Sequence, residues 1–253
     1  MNILLTNDDG IYAPGLWALY KALSDQHAVT VIAPDRERSA VGHGITLSAP
    51  IRAEWICVNN AHSGYGVSGT PVDCIKLGIL ELLKGPPDMV VSGINAGENA
   101  GVNINYSGTV AAAKEATLYG IPSLSVSMTG HAPAHYDEAA VFIAGLAETV
   151  MQKGLPAGSF LNVNYPDMPS ANVAGICINR QATDMLEEYF EKRVDPRNRS
   201  YYWHGAVSGN FLIDPQTDAY AVSNQYISIT PIKCDMTDFD LFDDLNKWEI
   251  SLS

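Results

Sequence analysis

The sequence predicts an α/β protein, a parallel sheet with helices on both faces, followed by a C-terminal extension of different character. Three observations carry this. Short apolar runs of β-formers alternate with segments of helical period through the first 165 residues. Most of these runs end in a polar or glycine-bearing loop, as strands buried on both faces do. From about Pro166 the alternation gives way to separated strand-like runs between turn-rich stretches. The chain has 253 residues, 47% hydrophobic and 17% charged. That length suits one large α/β domain or two modest ones, at roughly 100–200 residues per domain. The expected division is a core over 1–165 and an extension over 166–253 that is not an independent domain.

The elements follow in order. Asn2–Thr6 reads as a buried strand ending in Asn7-Asp8-Asp9-Gly10. From Pro14 to about Gln26, Leu16, Leu19, Tyr20 and Leu23 share a helical face, and Pro14 suits the first turn. Val29–Ala33 is a strand stopped by Pro34-Asp35. Thr70–Leu83 reads as a helix with Thr70 as N-cap, Pro71 at the first position and Asp73 in the first turn. Met89–Ser92 is a strand leading into a loop rich in glycine and asparagine. Gly108–Tyr119 is a helix closed by Gly120 and Pro122. Leu124–Ser127 and Phe160–Asn164 are strands flanking a helix over Tyr136–Gln152. Ile176–Arg180, Tyr201–His204 and Tyr226–Pro231 are the strand-like runs of the extension, expected to lengthen the sheet or reach a partner subunit.

Fifteen Lys and Arg against 28 Asp and Glu leave a formal charge of −13. Residues 1–130 carry −4 of it and residues 131–253 carry −9. So acidic a surface repels polyanions, and neither duplex nucleic acid nor an anionic membrane is expected as a partner. The start, MNILLTNDDG, has no basic residue, and its apolar run is too short for a signal peptide or membrane span. A soluble, cytoplasmic protein is the expectation. The four cysteines, Cys57, Cys74, Cys177 and Cys234, show neither C-x-x-C nor zinc-finger spacing, so reduced thiols are expected.

In a parallel sheet the ligand site lies at the carboxyl ends of the strands, near the topological switch point. Asp8 and Asp9 stand side by side at the first such end. Their repulsion is relieved by a hard cation such as Mg²⁺ or Mn²⁺; a helix-capping Asp turn is the competing interpretation. The second strand is followed by a loop ending in the Ser39 hydroxyl, and the Met89–Ser92 strand by Gly93-Ile94-Asn95-Ala96-Gly97-Glu98-Asn99, rich in amide oxygens. Three loops thus bring oxygen ligands to one sheet edge. Ser107-Gly108-Thr109 opens a helix, where free N–H groups favour a phosphate, although an ordinary Ser/Thr cap has the same signature.

Five motifs, in order, resemble the survival protein E (SurE) family of metal-dependent nucleoside monophosphate phosphatases. They are Asn7-Asp8-Asp9-Gly10, the Arg38-Ser39 loop, Gly69-Thr70-Pro71-Val72-Asp73-Cys74, Ser92-Gly93-Ile94-Asn95-Ala96-Gly97 and Tyr106-Ser107-Gly108-Thr109-Val110. The resemblance is dense over the first 130 residues and looser through Asn162-Val163-Asn164-Tyr165-Pro166. It implies a Rossmann-like core and a C-terminal region exchanged in homodimers or homotetramers. It also implies Asp8, Asp9, Ser39 and Asn95 as ligands of one divalent metal ion (Mg²⁺ or Mn²⁺) per subunit. Asp8, Asp9 and Asn95 form the expected catalytic set, with Asp9 the better proton acceptor. Asn99, Ser107, Gly108 and Thr109 are expected at the phosphate. The expected reaction is hydrolysis of nucleoside 5′- and 3′-monophosphates to nucleoside and phosphate.

Other classes compete. A haloacid-dehalogenase-type phosphatase uses D-x-D with an Asp nucleophile, whereas the aspartates here are adjacent. A dinucleotide-binding oxidoreductase needs a glycine fingerprint after the first strand, which Asn7-Asp8-Asp9-Gly10-Ile11 lacks. A nucleotide sensor on the same scaffold would bind with metal and release no phosphate. Tyr12, Tyr65, Tyr106 and Trp203 are candidate base-stacking aromatics, more commonly packing residues. His43, a lone loop histidine, is left out of the catalytic set.

Overall fold

The structure, a computed structural model, describes residues 1–183, 187–207, 214–248 and 250–251. In chain order the elements are β1 (Asn2–Thr6), α1 (Pro14–Ser24), β2 (Ala28–Pro34), β3 (Ala53–Val58), β4 (His62–Val67), α2 (Pro71–Leu77), β5 (Met89–Ala96), α3 (Gly108–Leu118) and β6 (Ser123–Met128). They continue with α4 (Tyr136–Lys153), β7 (Ser159–Tyr165), β8 (Gly175–Ile178), β9 (Glu187–Val194), β10 (Ser200–Val207), α5 (Asp218–Ser223), β11 (Tyr226–Lys233) and α6 (Phe239–Leu245). Nine strands form one sheet in the order β3-β4-β2-β1-β5-β6-β7-β11-β8. All neighbours from β4 to β7 run parallel. The chain leaves β1 for β2 on one side and returns to β5 on the other. The strand order therefore reverses between β1 and β5, and a crevice opens at their carboxyl ends.

Side chains of β1 alternate between two cores, as the strand pleat requires. Ile3 and Leu5 pack with Leu16, Leu19 and Leu23 of α1 and with Ala139, Ile143 and Ala147 of α4. Leu4 points the other way, to Cys74 and Ile75 of α2 and Ala112 and Ala116 of α3. The sheet is thus covered by helices on both faces, and the α/β class expected from the sequence is the class observed. Among the described residues no helix is long and apolar enough to cross a membrane.

Several boundaries differ from the sequence-based expectations. The β3–β4 hairpin carries no apolar alternation in sequence, because β3 is an exposed edge strand and β4 contains Gly64 and Gly66. β5 runs on to Ala96 with a register shift between Ser92 and Asn95 in its pairing with β6. Gly93 sits there at φ +143, where an added Cβ would lie 2.3 Å from the Val126 carbonyl oxygen. Such a bulge re-aims the side chains beyond it, Asn95 among them. The helix expected to reach Leu83 is α-helical only to Leu77 and widens into a π turn over Gly78–Leu82.

The start of α2 is as expected. Thr70 Oγ1 accepts from the Asp73 N–H at 3.1 Å, and Asp73 Oδ2 accepts from the Thr70 N–H at 2.8 Å, a complete capping box. Thr70→Ala is expected to cost about 1 kcal/mol, read as a fall of about 2–4 °C in thermal melting. A melting temperature within about half a degree of wild type would show the cap to be dispensable.

In the C-terminal part, β11 inserts antiparallel beside β7 and carries β8 on its other edge. Among the described residues β9 and β10 pair only with each other, outside the main sheet. The short helices α5 and α6 have no counterpart in the sequence-based reading; the side chain of Asp238, in the aspartate-rich tail, caps α6 through the Leu241 N–H. All four cysteines are free thiols, and burial pushes the Cys74 thiol well up.

Candidate active site

The loop after β1 is closed by Asn7, whose side-chain amide donates to the Gly10 carbonyl at 3.0 Å and accepts from the Gly10 N–H at 3.1 Å. The Asx-type closure fixes the two residues between them. Asp8 is buried. Its Oδ2 accepts from the Thr109 N–H at 3.0 Å, and its Oδ1 accepts a short hydrogen bond from the Thr109 hydroxyl. Its backbone carbonyl accepts from the Arg38 N–H at 2.7 Å, which ties the loop after β2 to the end of β1. Asp9 Oδ2 accepts from the Ala96 N–H at 3.2 Å, at the end of β5.

Neither carboxylate has a salt-bridge partner among the described residues. Burial raises the Asp8 carboxyl above the usual aspartate range, against the opposing hydrogen bonds from Thr109. Burial and then the neighbouring Asp8 push Asp9 up to about 6. Two acids side by side, without a basic partner among the described residues, form a site whose charge balance favours a cation.

The start of α3 abuts this pair. Ser107 is the N-cap, its Oγ accepting from the Val110 N–H at 3.1 Å. Gly108 is demanded by the close approach: a Cβ there would fall 2.9 Å from Asp8 Cβ and 3.1 Å from Pro71 Cγ. The donors of Thr109 face Asp8 and not the open cleft, which differs from the sequence-based expectation of a phosphate contact. A carboxylate reaching into the helix N-terminus meets the same N–H groups that would otherwise receive an external anion.

On β5, the Asn95 side-chain amide donates to the Gly97 carbonyl at 2.6 Å, and Asn95 Oδ1 accepts no hydrogen bond from the described residues. Asn99 is pinned by a buried asparagine ladder. Its N–H donates to Asn164 Oδ1 at 2.8 Å, and its carbonyl accepts from the Asn162 and Asn164 amides at 2.8 and 3.1 Å. Its own amide donates to Ser127 Oγ at 2.8 Å. Ser39 Oγ donates to Glu37 Oε1 at 2.7 Å.

Of the sequence-predicted site residues, Asp8, Ser39, Asn95, Asn99 and Ser107 line one cleft of about 240 Å³ at the β1–β5 switch point. Asp9 joins it through Ala96, itself a lining residue. Gly108 and Thr109 are buried behind Asp8 and do not line it. Asn103, Tyr106 and His131 complete the wall. Of the four aromatics singled out in sequence, Tyr106 alone lines this cleft. Tyr65 lines a separate cavity of about 570 Å³ with Trp55 and Lys84. His131 belongs to none of the sequence motifs; it lies in the loop after β6. His43 contacts Glu115 Oε2 at 2.7 Å, and Lys76 Nζ donates to Glu115 Oε1 at 2.9 Å. Chiefly through the His43 hydrogen bond, Glu115 is held below its usual range.

A metal fits this donor set on chemical grounds. Among the described residues no three His, Cys, Asp or Glu side chains gather, so a thiolate- or imidazole-rich zinc centre has no ligands. Two carboxylates, an amide oxygen and a hydroxyl are hard oxygen donors that suit Mg²⁺ or Mn²⁺.

Residues 3–188 match the family model described as survival protein SurE. A 5′-nucleotidase SurE of Desulfatibacillum aliphaticivorans is 50% identical over 250 residues, covering 99% of each chain. One of Geotalea daltonii is 49% identical over 251 residues, covering 99% of this chain and all of the relative. The crystal structure of the SurE protein from Aquifex aeolicus superposes with a TM-score of 0.85 at 36% identity, over 99% of this chain and all of that one.

Proposed function

This chain belongs to the survival protein SurE family, and we propose that it is a divalent-metal-dependent phosphomonoesterase hydrolysing nucleoside 5′- and 3′-monophosphates to nucleoside and phosphate. The nucleotidase part of this reading is supported by the full-length relatives named 5′-nucleotidase SurE. Metal dependence is supported by one observation: two adjacent carboxylates, a buried Asp8 that lines the cleft and Asp9 beside it, have no basic partner among the described residues, and the cleft is otherwise walled by hydroxyl and amide groups.

One Mg²⁺ or Mn²⁺ ion per chain would be held by Asp8, Asp9, Asn95 and Ser39, and when bound it polarises a phosphoryl oxygen and makes a coordinated water more acidic. The protein's own residues do the rest. Thr109 orients Asp8 through two hydrogen bonds, so it acts as a positioning residue and not as a phosphate donor. Asp9 takes the proton of the attacking water. Ser107 retains its hydroxyl proton, since its Oγ only accepts within the cap, and presents it to a phosphoryl oxygen. Asn99, immobilised by Asn162, Asn164 and Ser127, is a fixed part of the cleft lining. Water attacks in line with the ester oxygen, and orthophosphate and nucleoside leave.

A homodimer or homotetramer built on the C-terminal extension belongs to the same reading, supported by exposed Phe190, Tyr202 and Trp203 on the β9–β10 hairpin outside the main sheet. A cytoplasmic location is part of it as well. Phosphate release from a panel of 5′- and 3′-nucleoside monophosphates and short polyphosphates, with Mg²⁺ or Mn²⁺ added, tests the activity. Release from the monophosphates is expected. Tight binding without release would leave the sensor reading in its place.

A further inference from the structure

We propose that His131 is the proton donor to the leaving nucleoside oxygen in the hydrolysis described above, an inference that rests on the phosphomonoesterase reading. Hydrolysis of an alkyl phosphate needs one proton removed from the attacking water and one delivered to the departing oxygen. Asp8, Asp9, Ser39 and Asn95 are the metal-side groups. The same cleft is also lined by Asn99, Asn103, Tyr106, Ser107 and His131. His131 is the one imidazole among the described residues lining the cleft. It is exposed and has no hydrogen-bond partner among the described residues, so its ring is free to meet a bound substrate.

The loop that carries it is built to hold still. Thr129 N–H donates to the Tyr165 carbonyl at 3.0 Å, and the Asp167 N–H donates to Thr129 Oγ1 at 2.8 Å. Asp167 Oδ1 then accepts from the Ala134 N–H at 2.9 Å, the His135 N–H at 3.0 Å and the His135 ring Nδ1 at 2.8 Å. Both ends of the loop, Thr129 and Ala134-His135, are therefore fastened to one residue after β7, with His131 between them. The Gly97 N–H donates to the Met128 carbonyl at 2.9 Å, which sets the β6 end against the β5 end that supplies Asn95.

In the step, the water oxygen forms a bond to phosphorus while the bond from phosphorus to the nucleoside oxygen breaks. The His131 N–H proton passes to that oxygen and the water proton passes to Asp9; Asp9 then releases its proton to solvent, and His131 is reprotonated from solvent.

The test compares leaving groups. His131→Ala and His131→Asn are assayed with a nucleoside 5′-monophosphate and with p-nitrophenyl phosphate, whose phenolate leaves without protonation. Loss of kcat by about 10²-fold or more on the nucleotide is expected for both variants. On p-nitrophenyl phosphate the expected loss is at most a few-fold. Equal losses on the two substrates, or recovery by His131→Asn, which keeps an N–H but transfers no proton, would overturn the assignment. So would a Tyr106→Phe variant that shows the leaving-group dependence instead. A wild-type protein inactive on both substrates would instead remove the phosphomonoesterase reading, and His131's role with it.

Discussion

Asp8→Asn is expected to lower kcat/KM for a nucleoside monophosphate by at least about a thousandfold while the chain stays folded. Asparagine is nearly isosteric: its carbonyl oxygen can accept from the Thr109 N–H while its NH₂ donates to the Thr109 hydroxyl, which turns to accept, so the junction between β1 and α3 keeps its shape. What disappears is the negative charge that would hold a cation beside Asp9. Burial disfavours the ionised Asp8 carboxyl, so removing its charge is not expected to destabilise the metal-free protein. The expected pattern is an unchanged or slightly higher melting temperature without metal, no rise on adding Mn²⁺, and activity at background. A variant with turnover near wild type in saturating Mg²⁺ or Mn²⁺ would remove Asp8 from the site.

Gly108→Ala is the second large effect, and it acts through shape. The methyl group would sit 2.9 Å from Asp8 Cβ, 3.0 Å from Asp8 Oδ2 and 3.1 Å from Pro71 Cγ, and Oδ2, the one chain end among the three, is held by the Thr109 N–H. Either α3 backs away from the sheet or Asp8 is displaced. Overpacking of this kind costs about 1–3 kcal/mol. Misplacement by a fraction of an ångström to one ångström of a group at the reacting centre lowers turnover by about a hundredfold. Both losses are expected together, measured by thermal melting and by phosphate release. A variant with normal stability and normal turnover would mean that the approach of the helix to Asp8 is not required.

Much of this was legible in the sequence, and the exceptions have physical reasons. α1 follows from apolar periodicity because it buries one face, β1 and β2 from short apolar runs because they are buried on both faces, and α3 from the Gly120 and Pro122 that close it. The β3–β4 hairpin was hidden because an exposed edge strand has little reason to alternate. The extension of β5 past Ser92 depends on a bulge that only the pairing with β6 reveals. In the site, Asp8, Asp9, Ser39, Asn95, Asn99 and Ser107 fall around one cleft because strand ends in a parallel sheet converge there. The direction of the Thr109 donors was not legible, since it turns on contact between residues 101 positions apart. Nor was the pinning of Asn99, which needs the register of β6 and β7 to bring Ser127 and Asn164 alongside. His131 sits in no motif, and only the geometry of the cleft singles it out.

The most direct test of the central claim is a titration of chelator-treated protein with Mn²⁺, following phosphate release from a nucleoside 5′-monophosphate and ion binding in the same samples. The account predicts no release without metal, and activity that rises with occupancy and saturates at one ion per chain. Release that persists at full rate in excess chelator would contradict it, as would ion binding at that stoichiometry with no release.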